Sequence, residues 1–416
     1  VIGDSVYGGL EVLKDAVKYT MVPGVLFEEL GFVYLGPIDG HDLNELINVF
    51  SSAKMLKKPV LVHCVTKKGK DYQPAEQNPS KFHGIAPFDR ETGELKKQPG
   101  TPSYSKVFGK ALLNLALSDP SIIAITAAMS DGTGLSEFGR YLPKRLFDVG
   151  IAEEHAVTFA AGAAANGMHP VVAIYSTFLQ RAYDQILIDV CMQKLPVTFC
   201  IDRAGIVGAD GETHHGVFDI SYLSHMPNLI FFAPSDRKEL EDMLSFAVKY
   251  DGPCAVRYPR GEALEPFESV CGANTVSGGD AVKAVGGGGA EGCSDGVDSI
   301  LKSRRLAEGS DVTIISVGKM TGNCVKSCKI LNDMGISAEL IDARVIRPLD
   351  REAFERSAEK TGIIFVVEDN VEIGGFGSSV EDIFSHRSDV AVYKIAWPDE
   401  FIGHGTPAQL EKKYGM

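Results

Sequence analysis

From Ser103 to Gly261 short apolar runs alternate with helical stretches without interruption, and this alternation narrows the possible folds more than any other feature of the chain. Ser121–Thr126, Pro170–Tyr175, Pro196–Ile201, Leu229–Ala233 and Pro253–Tyr258 have the length and apolar content of buried strands. Between them Ala152–Asn166, Phe178–Gln193 and Asp236–Lys249 read as helices, and Asp236 with Glu239 has capping-box spacing. Strands joined by helical crossovers predict an α/β fold with a doubly wound parallel sheet. The ligands of such a sheet sit at the carboxyl ends of its strands.

The other residues of the 416 fall on either side of this block, and the length suggests roughly three domains of ~150 residues. Residues 1–100 hold one clear strand, Pro59–Val65, after a helix-like stretch from Asp42 to Leu56. A polar, Pro- and Lys-rich segment from Thr66 to Gly100 follows and is too long for a simple connector. Residues 101–262 form the dense block. Residues 263–309 break the pattern, with seven glycines between Gly272 and Ala290, and read as a flexible insertion. Residues 310–416 return to α/β alternation, with strands at Val312–Val317, Ala338–Ile341, Ile363–Val367 and Val390–Ile395.

Charge excludes several functions. Lys and Arg number 41 against 55 Asp and Glu, a net charge of −14, so a broad electrostatic grip on nucleic acid or an anionic membrane is not expected. An anionic substrate would need a local cationic cluster. No apolar run approaches the ~20 residues of a membrane span. The eight cysteines lie mostly in apolar runs without CxxC spacing, which reads as reduced thiols of a cytoplasmic protein. Cys324 and Cys328 are a helical turn apart but lack a His or a second pair to complete a metal site.

The candidate chemistry lies just beyond the strands. Phe147–Ala156 places Glu153 in the first turn of a helix after a strand read as buried; the plain alternative is a Glu that complements the helix dipole. Three further strand ends carry Arg181, Arg203 and Arg260, and the loop Asp202–Gly216 adds four glycines, His214 and His215. Several arginines at one edge of a sheet suit a phosphate or carboxylate clamp, because a planar guanidinium bonds bidentately.

IAEEHAVTFAAG, YSTFLQRAYDQ, DRAGIVGADGETHHG and RYPRG, in that order, resemble the pyrimidine-binding domain of the 1-deoxy-D-xylulose 5-phosphate synthase family, transketolase-like enzymes that use thiamine diphosphate. FEELGFVYLGPIDGHD and TKKGKDYQPAEQNPSKFHG resemble the end of that family's diphosphate-binding domain, and VEDN and GGFGSSV its C-terminal domain. The resemblance implies a thiamine diphosphate-binding fold plus a transketolase-type C-terminal α/β domain, in a homodimer. The implied reaction is decarboxylation of pyruvate and condensation with D-glyceraldehyde 3-phosphate, giving 1-deoxy-D-xylulose 5-phosphate and CO2. Another transketolase-like activity and a non-catalytic chain are the alternatives.

By the same resemblance Glu153 is the catalytic carboxylate that hydrogen-bonds the cofactor's pyrimidine nitrogen. Phe178, for which plain core is the alternative, stacks on the pyrimidine, and Tyr72 contacts the cofactor. Arg203 and Arg260, with Tyr175, bind the acceptor phosphate. Arg181, Asp210 and His214 line the acceptor's hydroxyls and carbonyl, and Arg181 is equally a candidate for the pyruvate carboxylate. His83 and His214 are candidates for proton transfer, whereas His215 reads as packed or loop-solvated. Glu154, where the family commonly has Gln, is expected to point away. Lys67, Lys68 and Lys70 read as solvated charges, and GGFGSSV as a structural turn.

The family's magnesium site uses a Gly-Asp-Gly run and an Asn about thirty residues later, both hard oxygen ligands. The chain has no Gly-Asp-Gly, and it begins Val1-Ile2-Gly3-Asp4. The expectation is a fragment that holds the pyrimidine half of the cofactor site and the substrate clamp, with the Mg2+ ligands upstream of residue 1 and weak cofactor binding by itself.

Overall fold

A computed structural model describes residues 24–79, 81–85, 87–96, 100–208, 210–267 and 299–416. These fall into two units divided after Pro99. The glycine-rich stretch 272–290 lies outside the described residues.

The first unit has two parallel strands, β1 (Val33–Asp39) and β2 (Val60–Val65), where the sequence suggested one. Pro37 disguises β1: it removes a ladder donor, and the register slips between Leu35 and Ile38. The helix Leu43–Met55 connects them, started by the Asp42 side chain, which accepts from the Asn44 and Glu45 amides. Beyond β2 the chain gathers around Tyr72, Phe82 and Phe88, whose ring centroids are 5.2–5.9 Å apart.

The second unit contains β3 (Ile122–Thr126), β4 (Leu146–Asp148), β5 (His169–Tyr175), β6 (Thr198–Asp202), β7 (Ile230–Phe232) and β8 (Cys254–Arg257). Then come β9 (Arg304–Ala307), β10 (Val312–Ser316), β11 (Ala338–Asp342), β12 (Val345–Arg347), β13 (Ile363–Val371) and β14 (Ala391–Trp397). One sheet runs β12-β7-β8-β6-β5-β3-β4 and the other β14-β13-β10-β11-β9. All pairings are parallel except β12 with β7 and β9 with β11. The first sheet therefore has seven strands rather than five. Its outermost strand, β12, comes from the C-terminal part of the chain. β9 lies inside the stretch 263–309 read as insertion.

The sheet's strands are apolar because both faces are covered. On one face lies the helix Glu153–Ala165, whose Ala156, Ala160, Ala161 and Ala164 recur at helical spacing and let it approach β5 closely. The same apolar cluster continues through Ile201, Phe231 and Ala233 to Ile315, Val317, Ile341 and Phe354, so one core joins both sheets. The other face packs Phe108, Leu112, Leu240 and Leu244 from the helices Tyr104–Ser118 and Arg237–Ala247.

Two local readings change. Asp236 caps its helix, accepting from the Lys238 and Glu239 amides, but the Glu239 carboxylate turns to Ser235 and Arg344, so the reciprocal half of a capping box is missing. The expected helix Phe178–Gln193 is broken into Ser176–Leu179, a 3-10 turn at Gln180–Ala182, Tyr183–Gln185 and a π stretch at Ile186–Cys191. Such widened turns recur at functional sites.

Candidate active site

The strands β3, β4, β5, β6 and β8 all end on one edge of the sheet, and the candidate residues of the second unit follow those ends. β4 is a partly exposed edge strand, not the buried strand expected before Glu153. Its Asp148 carboxylate accepts from the Ala128 and Gly150 amides, with Gly150 at φ 71°, and so shapes the turn into the helix. Glu153 is the first residue of that helix and only 2% exposed. Free amides at a helix start favour a negative charge there.

Arg181 reaches back from the broken helix to both glutamates. Its Nη1 lies 3.3 Å from Glu153 Oε2 and its Nε 3.2 Å from Glu154 Oε1. Glu154 therefore does not point away. At the helix start the two side chains diverge little enough for one guanidinium to span both.

Tyr175 ends β5, and its ring stacks against Phe178, centroids 5.8 Å apart at 25°. His214 meets Phe178 edge-on at 5.5 Å, and its Nδ1 is 2.9 Å from Thr213 Oγ1. The three rings form an aromatic wall that is only half buried. The Arg203 guanidinium lies over Tyr175, 3.9 Å from the ring centroid. Burial raises the Tyr175 phenol above its ordinary pKa, which keeps it a neutral donor.

Arg203 and Arg260 converge. Both guanidinium groups bond the same oxygen of Asp210, Arg203 Nη1 at 3.0 Å and Arg260 Nη1 in a short contact. Arg203 has φ 58°, a left-handed conformation, so the chain turns sharply as it leaves β6. His215 is packed: Val207 N donates to its Nδ1 at 3.2 Å, and its Nε2 lies 3.2 Å from Gly403 O.

Tyr72 and His83 belong to the first unit. Tyr72 donates to Arg90 O at 2.9 Å, and His83 Nδ1 lies 2.8 Å from Lys68 Nζ. Lys67 pairs with Glu76 at 2.5 Å and Lys70 lies 3.8 Å from Asp71, so each of the three lysines read as solvated has a partner.

Sequence reasoning missed four residues. Gly132 leaves room for the Tyr175 hydroxyl, with which a Cβ there would collide. Asp202, at the end of β6, is fully buried, and burial, offset only in part by Ser105 and Arg203, pushes its pKa up to about 7. Asp219 and Arg257 form a buried ion pair at 3.1 Å behind the clamp. None carries a local sequence signal: Gly132, Asp219 and Arg257 each act through a partner far along the chain, and the burial of Asp202 is set by the sheet around it. GGFGSSV is structural as expected: Glu368 Oε2 and Oε1 accept from the Phe376 and Gly377 amides at 2.8 and 2.7 Å, so an internal carboxylate fills that helix start.

The donor set suits the pyrimidine half of thiamine diphosphate. A buried carboxylate matches a ring nitrogen, and a half-exposed aromatic face matches a flat heterocycle. Among the described residues no group of three or more His, Cys, Asp or Glu could hold a metal ion.

Residues 100–264 match the family model of the transketolase pyrimidine binding domain, and residues 301–416 match the transketolase C-terminal domain. A solved "split gene transketolase, inactive beta4 tetramer" is 29% identical with a TM-score of 0.63, over 75% of this chain and 93% of that one. A transketolase from Pichia stipitis, 15% identical with a TM-score of 0.58 over 76% of this chain and 44% of its own, shares the fold. The fold and these matches thus define a transketolase-like protein, of a class that depends on thiamine diphosphate.

Residues 1–66 narrow the class, matching the 1-deoxy-D-xylulose-5-phosphate synthase model. Synthases of that name from Desulforudis audaxviator and Pelotomaculum thermopropionicum are 50% and 51% identical, over 100% and 98% of this chain. The chain belongs to the 1-deoxy-D-xylulose-5-phosphate synthase family. It spans 62% and 60% of the length of those two relatives.

Proposed function

We propose that this chain carries the pyrimidine side and the acceptor side of a 1-deoxy-D-xylulose-5-phosphate synthase, a cytoplasmic homodimeric transferase. It would decarboxylate pyruvate and join the remaining two carbons to D-glyceraldehyde 3-phosphate, giving 1-deoxy-D-xylulose 5-phosphate and CO2. The observation that carries this reading is that a buried Glu153, an aromatic wall and two arginines that converge on one point all follow strand ends at one edge of the same sheet. When bound, thiamine diphosphate supplies the nucleophilic carbon and the electron sink that decarboxylation needs.

The chain's own residues supply the rest. Glu153 holds a proton shared with the pyrimidine ring nitrogen, in a pocket whose burial strengthens that bond. Phe178 packs on the pyrimidine face. Arg203 and Arg260 bind the acceptor phosphate, and Asp210 holds the two guanidinium groups together. Tyr175 supports Arg203 from below. Arg181 serves the pyruvate carboxylate, and His214 the acceptor carbonyl and hydroxyls. Tyr72 is assigned to the cofactor and His83 to proton transfer. Magnesium, expected with the diphosphate, enters no step here.

The test is substrate choice in the holoenzyme. Pyruvate with glyceraldehyde 3-phosphate should release CO2 and yield the deoxy sugar phosphate, while ketose phosphates should not serve as donors. Turnover with ketose donors alone would make this a transketolase. Arg203→Ala or Arg260→Ala should raise KM for the phosphorylated aldehyde about tenfold or more and leave unphosphorylated glyceraldehyde nearly unaffected. Equal losses with both aldehydes would refute the phosphate assignment.

A further inference from the structure

The acceptor loop does not stand on its own domain. Its neck is made where Gly205 N donates to Gly216 O at 2.7 Å and Gly216 N to Gly205 O at 2.8 Å, while Ala204 N donates to Tyr258 O at 3.0 Å. Arg203 lies just before this neck, and Asp210 and His214 lie within the loop. The next amide, Ile206 N, is buried and turns away from the sheet. It donates to the Asp369 carboxylate on β13, 3.3 Å from each oxygen and 163 residues along the chain.

Asp369 is 1% exposed and is held in turn. Trp397 Nε1 donates to Oδ1 at 2.6 Å, and Lys319 Nζ lies 2.8 Å from Oδ2. A buried carboxylate is costly unless it is paired and hydrogen-bonded, and here both conditions are met. Gly205 faces it at φ 76°, and a Cβ at that position would overlap the carboxylate. The loop's far end meets the same strand: Val371 N donates to Val217 O at 2.8 Å, and Ile220 N to Asn370 Oδ1 at 3.2 Å. The Asp369 carbonyl accepts from Arg257 Nη2 at 3.2 Å. β13 therefore grips both ends of one loop that belongs to the other sheet.

We infer that Asp369 is a positioning residue for the substrate clamp: it fixes the neck of the loop 203–216, so that Arg203 and Asp210 meet Arg260 only while the C-terminal part is docked. The physical reason is directional. Apolar packing between the two sheets is tolerant of small slides, whereas a carboxylate shared by a backbone amide, an indole and an ammonium has one good position. This rests on the reading that Arg203 and Arg260 hold a phosphate, and the experiment separates the two.

The probe is inorganic phosphate, titrated calorimetrically into the 416-residue chain, with amide hydrogen exchange of Ile206 followed in parallel. Asp369→Asn should weaken phosphate binding about tenfold or more and speed exchange of the Ile206 amide by a similar factor. Gly205→Ala attacks the contact from the loop side and should do the same; because it also strains the neck at φ 76°, Trp397→Phe, which removes the indole donor to Asp369 and leaves the loop untouched, decides the matter if Asp369→Asn does not fold. Glu368→Gln, on the same strand but bonded to the helix Phe376–Ile383, should lower stability without changing phosphate affinity. Arg203→Ala tests the clamp separately. If it binds phosphate as the wild type does, the phosphate reading fails, and the Ile206 exchange rate in Asp369→Asn still decides whether Asp369 fixes the loop. If Arg203→Ala binds weakly while Asp369→Asn and Gly205→Ala bind normally, the inference is overturned. An equal loss of affinity in Glu368→Gln overturns it too, since general loosening would then explain everything.

Discussion

Asp202→Asn should stabilise the protein at alkaline pH and leave it unchanged in acid. Asp202 is wholly buried at the end of β6, and burial lifts its pKa from 3.8 to about 7. Between those values the native chain keeps a proton that the unfolded chain has lost. The stability contributed by this group is therefore fully present below about pH 4 and is lost as pH rises toward and through about 7. The gap is about three pH units at about 1.4 kcal/mol each, so the native chain gives up about 4 kcal/mol by pH 8. Asn has nearly the same shape and does not ionise. Urea unfolding of wild type and Asp202→Asn from pH 4 to 8 should therefore give curves that meet in acid and separate by up to about 4 kcal/mol in base. Burial also lifts Asp342 and Glu368 to about 7, but both contribute equally to the two proteins and cancel in the difference. A difference independent of pH would refute the reasoning.

Arg257→Met should destabilise the chain by about 3–5 kcal/mol, because it strands Asp219 without its partner in the core; a loss under about 1 kcal/mol in urea unfolding would contradict this. That penalty should shrink at lower pH, where Asp219, already raised above its ordinary pKa by burial, takes up a proton. Gly132→Ala should cost about 1–3 kcal/mol by overpacking and push Tyr175 away from Arg203. Calorimetry should then find weaker phosphate binding, and wild-type affinity would mean that Tyr175 does not support the clamp.

The parts legible in the sequence are those with a local cause. Buried parallel strands betray themselves as apolar runs, so β3, β5, β6, β7 and β8 lie within a residue or two of where their composition puts them. Arg203 and Arg260 are readable as a pair because the ends of neighbouring parallel strands must lie together. β12 is different: three residues, Val345–Arg347, join a sheet whose other strands ended some ninety residues earlier, and nothing local marks them. β1 hides behind Pro37. The helix after Tyr175 has the right periodicity but is widened by packing, which periodicity does not report. VEDN is visible as a string, yet its meaning depends on where the strand runs: Glu368 fills a helix start, Asp369 holds Ile206 and Asn370 holds Ile220. Glu154 turns to the same partner as Glu153 because one long guanidinium, that of Arg181, bridges the divergence of about 100° between adjacent helical residues.

The role that most directly decides the chemistry is that of Glu153 toward the cofactor. The measurement is exchange of the thiazolium C2 proton of bound thiamine diphosphate with deuterium, followed by NMR in the holoenzyme. Glu153→Gln should slow that exchange by about 10^2–10^4-fold with the fold intact. Exchange at the wild-type rate would mean that this carboxylate does not activate the cofactor.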